Sequence, residues 1–242
     1  AWQRVSQEAM GQQAPWLVAQ EAGRIVGVMP LVLRRSNIFG KAAISGFASL
    51  FGGPIASNEA VAVGLSAAAE AHAAEAGFGH IEVRLPAGRS DALSLCSGLH
   101  AAGLQASDAI MPSSVFMKDL PPAHDDLLAS IPKKRRYLVR KSLKYGFQLL
   151  GGSERIDTAY DLYSRSVHRL GTPVFPRALF HVIADAFGSE NAEFLIARTP
   201  FGDDVASFVV FYGFGTASPF YVGGLEAARS IGAHDFMYYS VM

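Results

Sequence analysis

Residues 132–147 read PKKRRYLVRKSLKYGF and hold seven of the chain's 21 lysine and arginine residues within twelve positions. A proline suits the first turn of a helix and a glycine suits its end, so Pro132 and Gly146 predict a helix between them. At about 100° per residue, one side of this helix gathers five cations: Lys133, Arg136, Arg140, Lys141 and Lys144. This cationic side of the helix has two interpretations. It could bind an anion, or it could be an ordinary charged surface in contact with solvent.

The composition of the whole chain makes this basic helix a local feature. The 242 residues carry 21 basic and 21 acidic side chains, and half of all residues are hydrophobic. A chain of this size and composition folds around one large core or two ordinary ones. A net charge near zero argues against a surface that binds nucleic acid all over, so any anion site is confined to a patch.

Cysteine use and hydropathy exclude several classes of protein. Cys96 is the only cysteine, which excludes a disulfide framework and a Cys-based zinc site and favours a small buried hydrophobe. No apolar run reaches the roughly 18 residues that a membrane span needs, and nothing resembles a signal peptide. The sequence therefore predicts a cytoplasmic protein. Because Ala1 is not methionine and Met242 falls inside an apolar pattern, further residues are expected at both ends.

Periodicity in the first half predicts alternating helices and strands. A helix is expected over 2–10, followed by a hairpin over 16–33 with Gly23 at its turn. The other elements predicted in this half are a strand over 38–49, a helix over 59–76, a strand over 80–85, a helix over 92–102 and a strand over 114–120. The last strand ends at Pro121-Pro122, which is the best domain boundary.

The second half repeats part of this pattern. Its predicted elements are a short helix over 124–131, the basic helix, a strand over 147–150, helices over 156–170 and 176–187, strands over 194–198, 205–212 and 218–222, and a helix that begins at Asp235. Residues 17–28 and 195–210 share one order: an apolar strand, a polar glycine turn and a longer apolar strand. This echo suggests two copies of one mixed α/β unit with mostly antiparallel sheets.

Several common active-site motifs are absent from the sequence. No glycine-rich dinucleotide fingerprint, P-loop or G-x-S-x-G elbow occurs, and the seven histidines lack metal-ligand spacing. Dehydrogenase, P-loop ATPase, serine hydrolase and zinc hydrolase are therefore poorly supported.

Candidate functional residues lie in the second half. The basic helix can bind several phosphates, and Tyr137 and Tyr145 could stack on a base or pack inside the protein. His168 and Arg169 form an ionisable pair in a breaker-rich loop, or cations favoured at the end of a helix. Residues 220–239 read as a strand, a Gly-Gly opening, a polar loop and a helix start. Such a junction presents free N–H groups that can bind an acyl or phosphate oxygen. Asp235 there has a second reading as the helix N-cap.

The sequence resembles the Fem-type aminoacyl (peptidyl) transferases of the GNAT acyltransferase superfamily. It is most similar to the Fem-like proteins associated with exopolysaccharide and protein-sorting gene clusters. The stretches that carry the resemblance are 16–19, 25–32, 35–40 and 52–54 in the first half and, more specifically, 132–144, 170–176 and 221–239 in the second.

The resemblance implies a fold and a reaction. The fold is α/β with mixed α+β sheets in two tandem GNAT-like domains, 1–122 and 123–242, the second incomplete at its C-terminus, with the working groove near their junction. Family members move an acyl or aminoacyl group from aminoacyl-tRNA or a thioester onto an amine. One departure concerns the GNAT pyrophosphate loop, R/Q-x-x-G-x-G/A, which here reads Arg229-Ser-Ile-Gly-Ala-His234. His234 replaces the last small residue, which argues against ordinary acetyl-CoA binding.

The resemblance also assigns site residues. Asp235 and His168 are the candidate bases and Tyr239 the candidate proton donor. The expected substrate- and phosphate-binding residues are Lys133, Arg136, Arg140, Lys141, Lys144, Arg229, Tyr221, Gly223, Gly224 and Thr172.

We expect no metal and no tightly bound cofactor, with acyl-CoA or aminoacyl-tRNA as co-substrate. The expected partners are a phosphorylated small molecule or tRNA donor and an amine-bearing acceptor related to the cell envelope or to polysaccharide. Two alternatives stay open: a non-catalytic module that binds RNA or another anionic polymer, and a degenerate transferase that acts as a scaffold.

Overall fold

The structure is a computed structural model that describes residues 1–37, 40–46, 52–85 and 115–242. The chain separates into two compact units, 1–115 and 116–242. Each unit combines helices with mainly antiparallel sheets, which confirms the predicted mixed α/β class. The assignment of 1–122 and 123–242 as the two domains stays a prediction. The helix expected over 92–102, with Cys96, lies outside the described residues.

The first unit contains two helices and two small sheets. In chain order its elements are α1 (Trp2–Met10), β1 (Trp16–Glu21), β2 (Arg24–Pro30), β3 (Val32–Ser36), β4 (Gly40–Ile44), β5 (Ile55–Ala56), α2 (Glu59–Glu75) and β6 (Ile81–Glu82). One sheet has the order β1-β2-β5 and is antiparallel, and the other has the order β3-β4-β6 with β4 and β6 parallel. The predicted helix over 2–10 is confirmed, and so is the hairpin, although its second strand ends at Pro30 and residues 32–33 belong to β3.

Local sequence explains the main helix of this unit. The side chain of Asn58 accepts a hydrogen bond of 2.9 Å from the N–H of Val61, which caps the start of α2. Leu65 and Ala69 then turn inward and pack with Met29 and Leu31 in one core. Gly27 of β2 lets the helix lie close, because a Cβ atom there would meet Val61 at 2.8 Å and Leu65 at 2.9 Å.

Three strand predictions in this half were wrong in extent. The strand over 38–49 is β4, which ends at Ile44, and the strand over 80–85 is β6, which spans two residues because only those pair with β4. Residues 115–120 form no regular element in the structure, and the side chain of Phe116 is 94% exposed. A strand pattern needs a partner strand to hydrogen-bond, and the described residues pair none with this segment.

The second unit is a four-stranded antiparallel sheet between two layers of helices. Its elements are α3 (His124–Leu127), α4 (Lys133–Tyr145), β7 (Gln148–Gly151), a 3₁₀ turn (Ser153–Arg155), α5 (Ile156–Arg169), α6 (Ala178–Phe187), β8 (Ala192–Arg198), β9 (Asp204–Gly213), β10 (Thr216–Gly224), α7 (Glu226–Ile231) and α8 (Ala233–Val241). The strand order is β10-β9-β8-β7. The short helix predicted over 124–131 ends early, at Leu127.

The two faces of this sheet carry different helices. On one face α5 and α6 cover an aromatic group that includes Tyr163, Phe180 and Tyr221, and the hydroxyl of Ser207 donates to the Ala159 carbonyl of α5. On the other face α7 and α8 close a second core. Each strand therefore sends alternate side chains into two separate cores.

Helix α4 has the bounds that its sequence predicts. Pro132 is its N-cap and Gly146, with φ of 87°, ends it in the left-handed conformation. Val139 and Ser142 are its buried residues, and the helix packs against α8. Among the described residues, no helix combines the length and hydropathy that a membrane span requires.

Candidate functional site

The strand β10 ends in two glycines, and the chain then makes two successive helices. Gly223 and Gly224 close the strand, α7 follows, and Gly232, with φ of 82°, turns the chain into α8. The polar loop expected between strand and helix is thus mostly helical, because Ala228 is buried against the sheet and holds α7 in place. We call this segment, residues 223–234, the β10–α8 junction.

Both glycines are required by close packing from opposite faces. A Cβ atom on Gly223 would lie 2.4 Å from the backbone nitrogen of Tyr163 in α5. A Cβ atom on Gly224 would lie 2.6 Å from Cε1 and 2.8 Å from Nε2 of His234 in α8. Real Cβ contacts are longer than this, so a larger residue at either position forces a shift.

Two side chains hold the end of the strand. The Nη2 group of Arg169, in the last turn of α5, donates to the Gly224 carbonyl oxygen at 3.3 Å. The imidazole of His234, in the first turn of α8, hydrogen-bonds the backbone of Gly223 and lies 6.3 Å from the ring of Phe208. One strand end is therefore held from both helix layers.

The surroundings of His234 favour a neutral imidazole. Burial lowers the pKa of His234 below its usual value, and the charge of Arg169 acts in the same direction. The Gly223 hydrogen bond and the charge of Asp235 raise the pKa of His234, but the net shift is still downward. His234 is therefore uncharged and able to accept a proton at neutral pH.

Tyr221 faces the aromatic side of the sheet two residues before the glycine pair. The pairing register between β10 and β9 shifts between Pro219 and Tyr221, so the strand is bulged at this point. The side chain of Tyr221 is 4% exposed, and its hydroxyl has no hydrogen-bond partner among the described residues. Burial raises the pKa of Tyr221 well above its usual value, so the phenol stays protonated.

The exposed side of α4 carries a regular row of cations around one aromatic ring. Lys133, Arg140, Lys141 and Lys144 lie within about a third of a turn of Tyr137 on this helix, opposite the buried face. The ring of Tyr137 is 68% exposed. We call these five residues the cationic stripe. Tyr145 instead stacks on Phe147 at 4.6 Å, which confirms the packing alternative for that residue.

Arg136 lies outside the cationic stripe. Its Nη2 group donates to the carbonyl oxygens of Ala129 at 2.7 Å and of Ile131 at 3.0 Å, and its Nε also points at Ile131. It therefore fastens the start of α4 to the preceding turn. Its expected phosphate contact stays a prediction, and the structure adds this second role.

The three candidate catalytic residues lie in different surroundings. Asp235 faces Arg135 at 3.6 Å, and the N-cap of α8 is Gly232, so the N-cap reading of Asp235 is wrong. His168 is exposed near the end of α5, and Tyr239 lies edge-on to His124 at 6.4 Å. The contacts of the described residues do not bring the three together, and their catalytic roles stay predictions. The expected binding residues Thr172 and Arg229 are exposed, and Arg229 borders a shallow depression beside α7.

Sequence reasoning missed the position of His234. The replacement of a small residue was visible, but nothing local indicated that the ring would contact the strand end. The signal that could have found it is a histidine two residues after a glycine at a helix start, since first-turn side chains lie near the preceding strand. Within the described chain, no group of three His, Cys, Asp or Glu side chains could hold a metal ion.

Comparison with known proteins identifies this second unit. Residues 127–242 match the family model for the acetyltransferase (GNAT) domain. A search of curated proteins finds no match. Among solved structures, FemX superposes with a TM-score of 0.70 at 15% identity, over 99% of this chain and 77% of its own.

A second solved structure is a tandem GNAT protein from the clavulanic acid biosynthesis pathway. Its TM-score is 0.54 at 13% identity, over 95% of this chain and 69% of that chain. The structural matches confirm the fold of two tandem GNAT-like domains, and the acetyltransferase (GNAT) family model matches the second of them.

Proposed function

Because this chain carries a GNAT acyltransferase domain within a Fem-like fold, we propose that it transfers an acyl or aminoacyl group from an activated donor to an amine. The donor is aminoacyl-tRNA or an acyl thioester, and the acceptor is an amine of a molecule related to the cell envelope or to polysaccharide. The reaction takes place in the cytoplasm. The β10–α8 junction is the observation that carries this proposal, since it offers a fixed strand end beside a neutral imidazole.

The bulged end of β10 suits an acyl carbonyl. Extended backbone from Tyr221 to Gly224 belongs to the outer strand of the described sheet, so alternate N–H groups point away from β9. N–H groups aimed at a developing oxyanion stabilise the tetrahedral intermediate of acyl transfer. Arg169 and His234 keep this backbone in place, so the site is oriented before substrate binds.

The cationic stripe supports a donor that carries phosphate. Four cations with one exposed aromatic ring match an RNA backbone with a stacked base. The residues 229–234 fit a CoA diphosphate less well, because Arg229 to Ile231 belong to α7 and the N–H of Gly232 already donates to the Ala228 carbonyl. Aminoacyl-tRNA is for this reason our preferred donor over acyl-CoA.

A second candidate function follows from the same stripe. A module that binds RNA or another anionic polymer without catalysis would need only the exposed face of α4, whose cations lie clear of the junction. A degenerate transferase that serves as a scaffold would keep the fold and lose turnover. The binding module predicts affinity that falls steeply with salt, and both alternatives predict no acyl transfer.

The decisive experiment separates these functions. The purified protein is first analysed by mass spectrometry for co-purified tRNA, CoA or nucleotide sugar. It is then incubated with charged tRNA or acetyl-CoA, both labelled in the acyl group, and with glucosamine or an amino-sugar oligomer as the amine. Label in an amide product supports the transferase. Bound tRNA with no product under any of these conditions supports the binding module instead.

A further inference from the structure

We propose that His234 is the general base that takes the proton from the acceptor amine, a role that rests on the proposed acyl transfer. The observation is a juxtaposition: the side chains of Arg169 and His234 both lie at the end of β10, and of these two only His234 can accept a proton. Arginine stays protonated throughout the ordinary pH range.

The ring is fixed at the place where the donor carbonyl would lie. Its Cε1 and Nε2 atoms are the nearest neighbours of Gly224, as the 2.6 and 2.8 Å distances to a Cβ built there show. The hydrogen bond to the Gly223 backbone and the contact with Phe208 limit rotation of the ring. A base needs this fixed position within reach of the proton it removes.

The hydrogen bond also sets the tautomer. A neutral imidazole has one N–H donor and one lone pair. When the N–H donates to the Gly223 carbonyl, the second ring nitrogen keeps its lone pair for a substrate proton. The same arrangement orients a catalytic histidine wherever one ring nitrogen is anchored and the other faces a nucleophile.

Burial keeps the ring neutral until it accepts that proton, and the charges of Asp235 and Arg169 act on it in opposite directions. Arg169 approaches from α5, Asp235 lies beside it on α8, and Arg135 of α4 pairs with Asp235. Phe208 of β9 and Ala228 of α7 add only apolar contact. Protonation at low pH therefore places a cation in a partly buried site near another cation, which is unfavourable.

The other candidates are less well placed. Asp235 forms an ion pair with Arg135. His168 is exposed near the end of α5, and the ring of Tyr239 packs on that of His124. None of them contacts Gly223 or Gly224 among the contacts that the structure describes. His234 replaces them as the expected base.

The reaction balances with an acyl ester or thioester donor and a neutral primary amine. The amine nitrogen bonds to the acyl carbon while His234 takes one of its protons, and the carbonyl oxygen becomes an oxyanion. The carbon–oxygen or carbon–sulfur bond then breaks, and the leaving group receives the proton from the imidazolium. The products are an amide and a free hydroxyl or thiol, and His234 returns to its neutral form.

The test uses the full chain with the acyl donor and amine that give turnover in the wild type. His234→Gln keeps a donor for Gly223 but cannot act as a base, and His234→Ala leaves space for added imidazole. We expect kcat to fall about 100- to 10,000-fold in both variants, within the range for removal of a general base. Imidazole in the buffer should restore activity to His234→Ala and not to His234→Gln.

The pH profile distinguishes a base from a purely structural residue. In the wild type, kcat should rise with pH through a pKa below the usual histidine value, and this limb should vanish in His234→Gln. His80→Asn, an exposed histidine of the first unit, is the control and should keep the limb. A His234→Gln variant that is folded and retains wild-type kcat and the limb overturns the proposal for His234 alone. A wild type without turnover on any donor overturns the proposed function instead.

Discussion

The guanidinium of Arg135 lies 3.6 Å from the carboxylate of Asp235, and this ion pair joins the basic helix α4 to the first turn of α8. The two residues are 100 positions apart in the sequence. Arg135 is 66% exposed and Asp235 24% exposed, so the pair sits at the edge of the helix interface. It links the helix that carries the cationic stripe to the helix that carries His234.

We expect this pair to contribute little to stability. Partly exposed ion pairs are worth about 0.2–1 kcal/mol, and salt screens them. A double-mutant cycle with Arg135→Ala and Asp235→Asn, measured by urea unfolding, should give a coupling energy in that range that shrinks at high salt. Asp235→Asn should also keep the acid limb of the pH–rate profile. Loss of that limb would show that Asp235, and not His234, is the base.

The cationic stripe should govern affinity for a phosphate-rich ligand. Each charge-assisted contact removed by Arg140→Ala or Lys144→Ala should weaken binding of unacylated tRNA by about 1–3 kcal/mol. Fluorescence anisotropy at fixed salt measures the change. Arg165→Ala, an exposed cation on α5 across the sheet, is the matched control and should have a much smaller effect. Equal losses at all three positions would mean that binding is diffuse and that the stripe is not a site.

Arg136 should behave differently from the stripe. Its guanidinium is hydrogen-bonded to the Ala129 and Ile131 carbonyls, so Arg136→Ala should lower the free energy of unfolding by about 1–3 kcal/mol. Arg136→Lys should recover only part of this, because an ammonium cannot reach both carbonyls in the same geometry. Urea denaturation of the two variants tests this. Unchanged stability with weakened tRNA binding would instead assign Arg136 to the anion site.

The glycine pair should be intolerant of any side chain. In Gly223→Ala the new methyl group meets the α5 backbone, which cannot move as a flexible side chain can. We expect a destabilisation of about 1–3 kcal/mol, the range for overpacking, and a loss of acyl transfer. Gly213→Ala at the end of β9 is the control, since nothing lies within 4 Å of its added atom. Thermal melts of both variants compare the two sites.

Acid should weaken the contact between α5 and α6. The hydrogen bond from Arg177, at 2.8 Å, and then that from His181 lower the pKa of Asp157 below its usual value. A lowered folded-state pKa stabilises the fold above the ordinary carboxyl pKa, about 3.9, and this contribution is lost as the pH falls through the lowered value.

Unfolding measurements at pH 7 and pH 3 check this effect. Asp157→Asn should be less stable than the wild type at pH 7, and the difference between the two proteins should shrink as the pH falls to 3. Glu190→Gln, which removes another exposed carboxylate, should show no such convergence. A constant difference between wild type and Asp157→Asn at both pH values would mean that the ion pair is not the cause.

Elements with strong local signals were predictable from the sequence. Pro132 and Gly146 mark the two ends of α4 in the structure, and the glycine turn at Gly23 marks the first hairpin. In both cases one residue type restricts the backbone by itself, so no tertiary contact is needed to place the element.

Features that depend on distant contacts were not predictable. The helix α7 is short and forms because Ala228 packs on the sheet, and the strand pattern of 115–120 forms no strand because it finds no partner among the described residues. The candidate site could be predicted only in part for the same reason. The sequence identified Gly223 and Gly224 as part of it, but the approach of His234 and Arg169 from two layers depends on how those layers pack.

The end of β10 is contacted by a side chain from each of the two helix layers, and it therefore connects the two layers. Arg169 belongs to the layer of α5 and α6, His234 belongs to the layer of α7 and α8, and they attach to consecutive residues, Gly224 and Gly223. A ligand that displaces one layer therefore moves the attachment point of the other. Donor and acceptor bound on opposite layers would therefore change each other's affinity by the same factor.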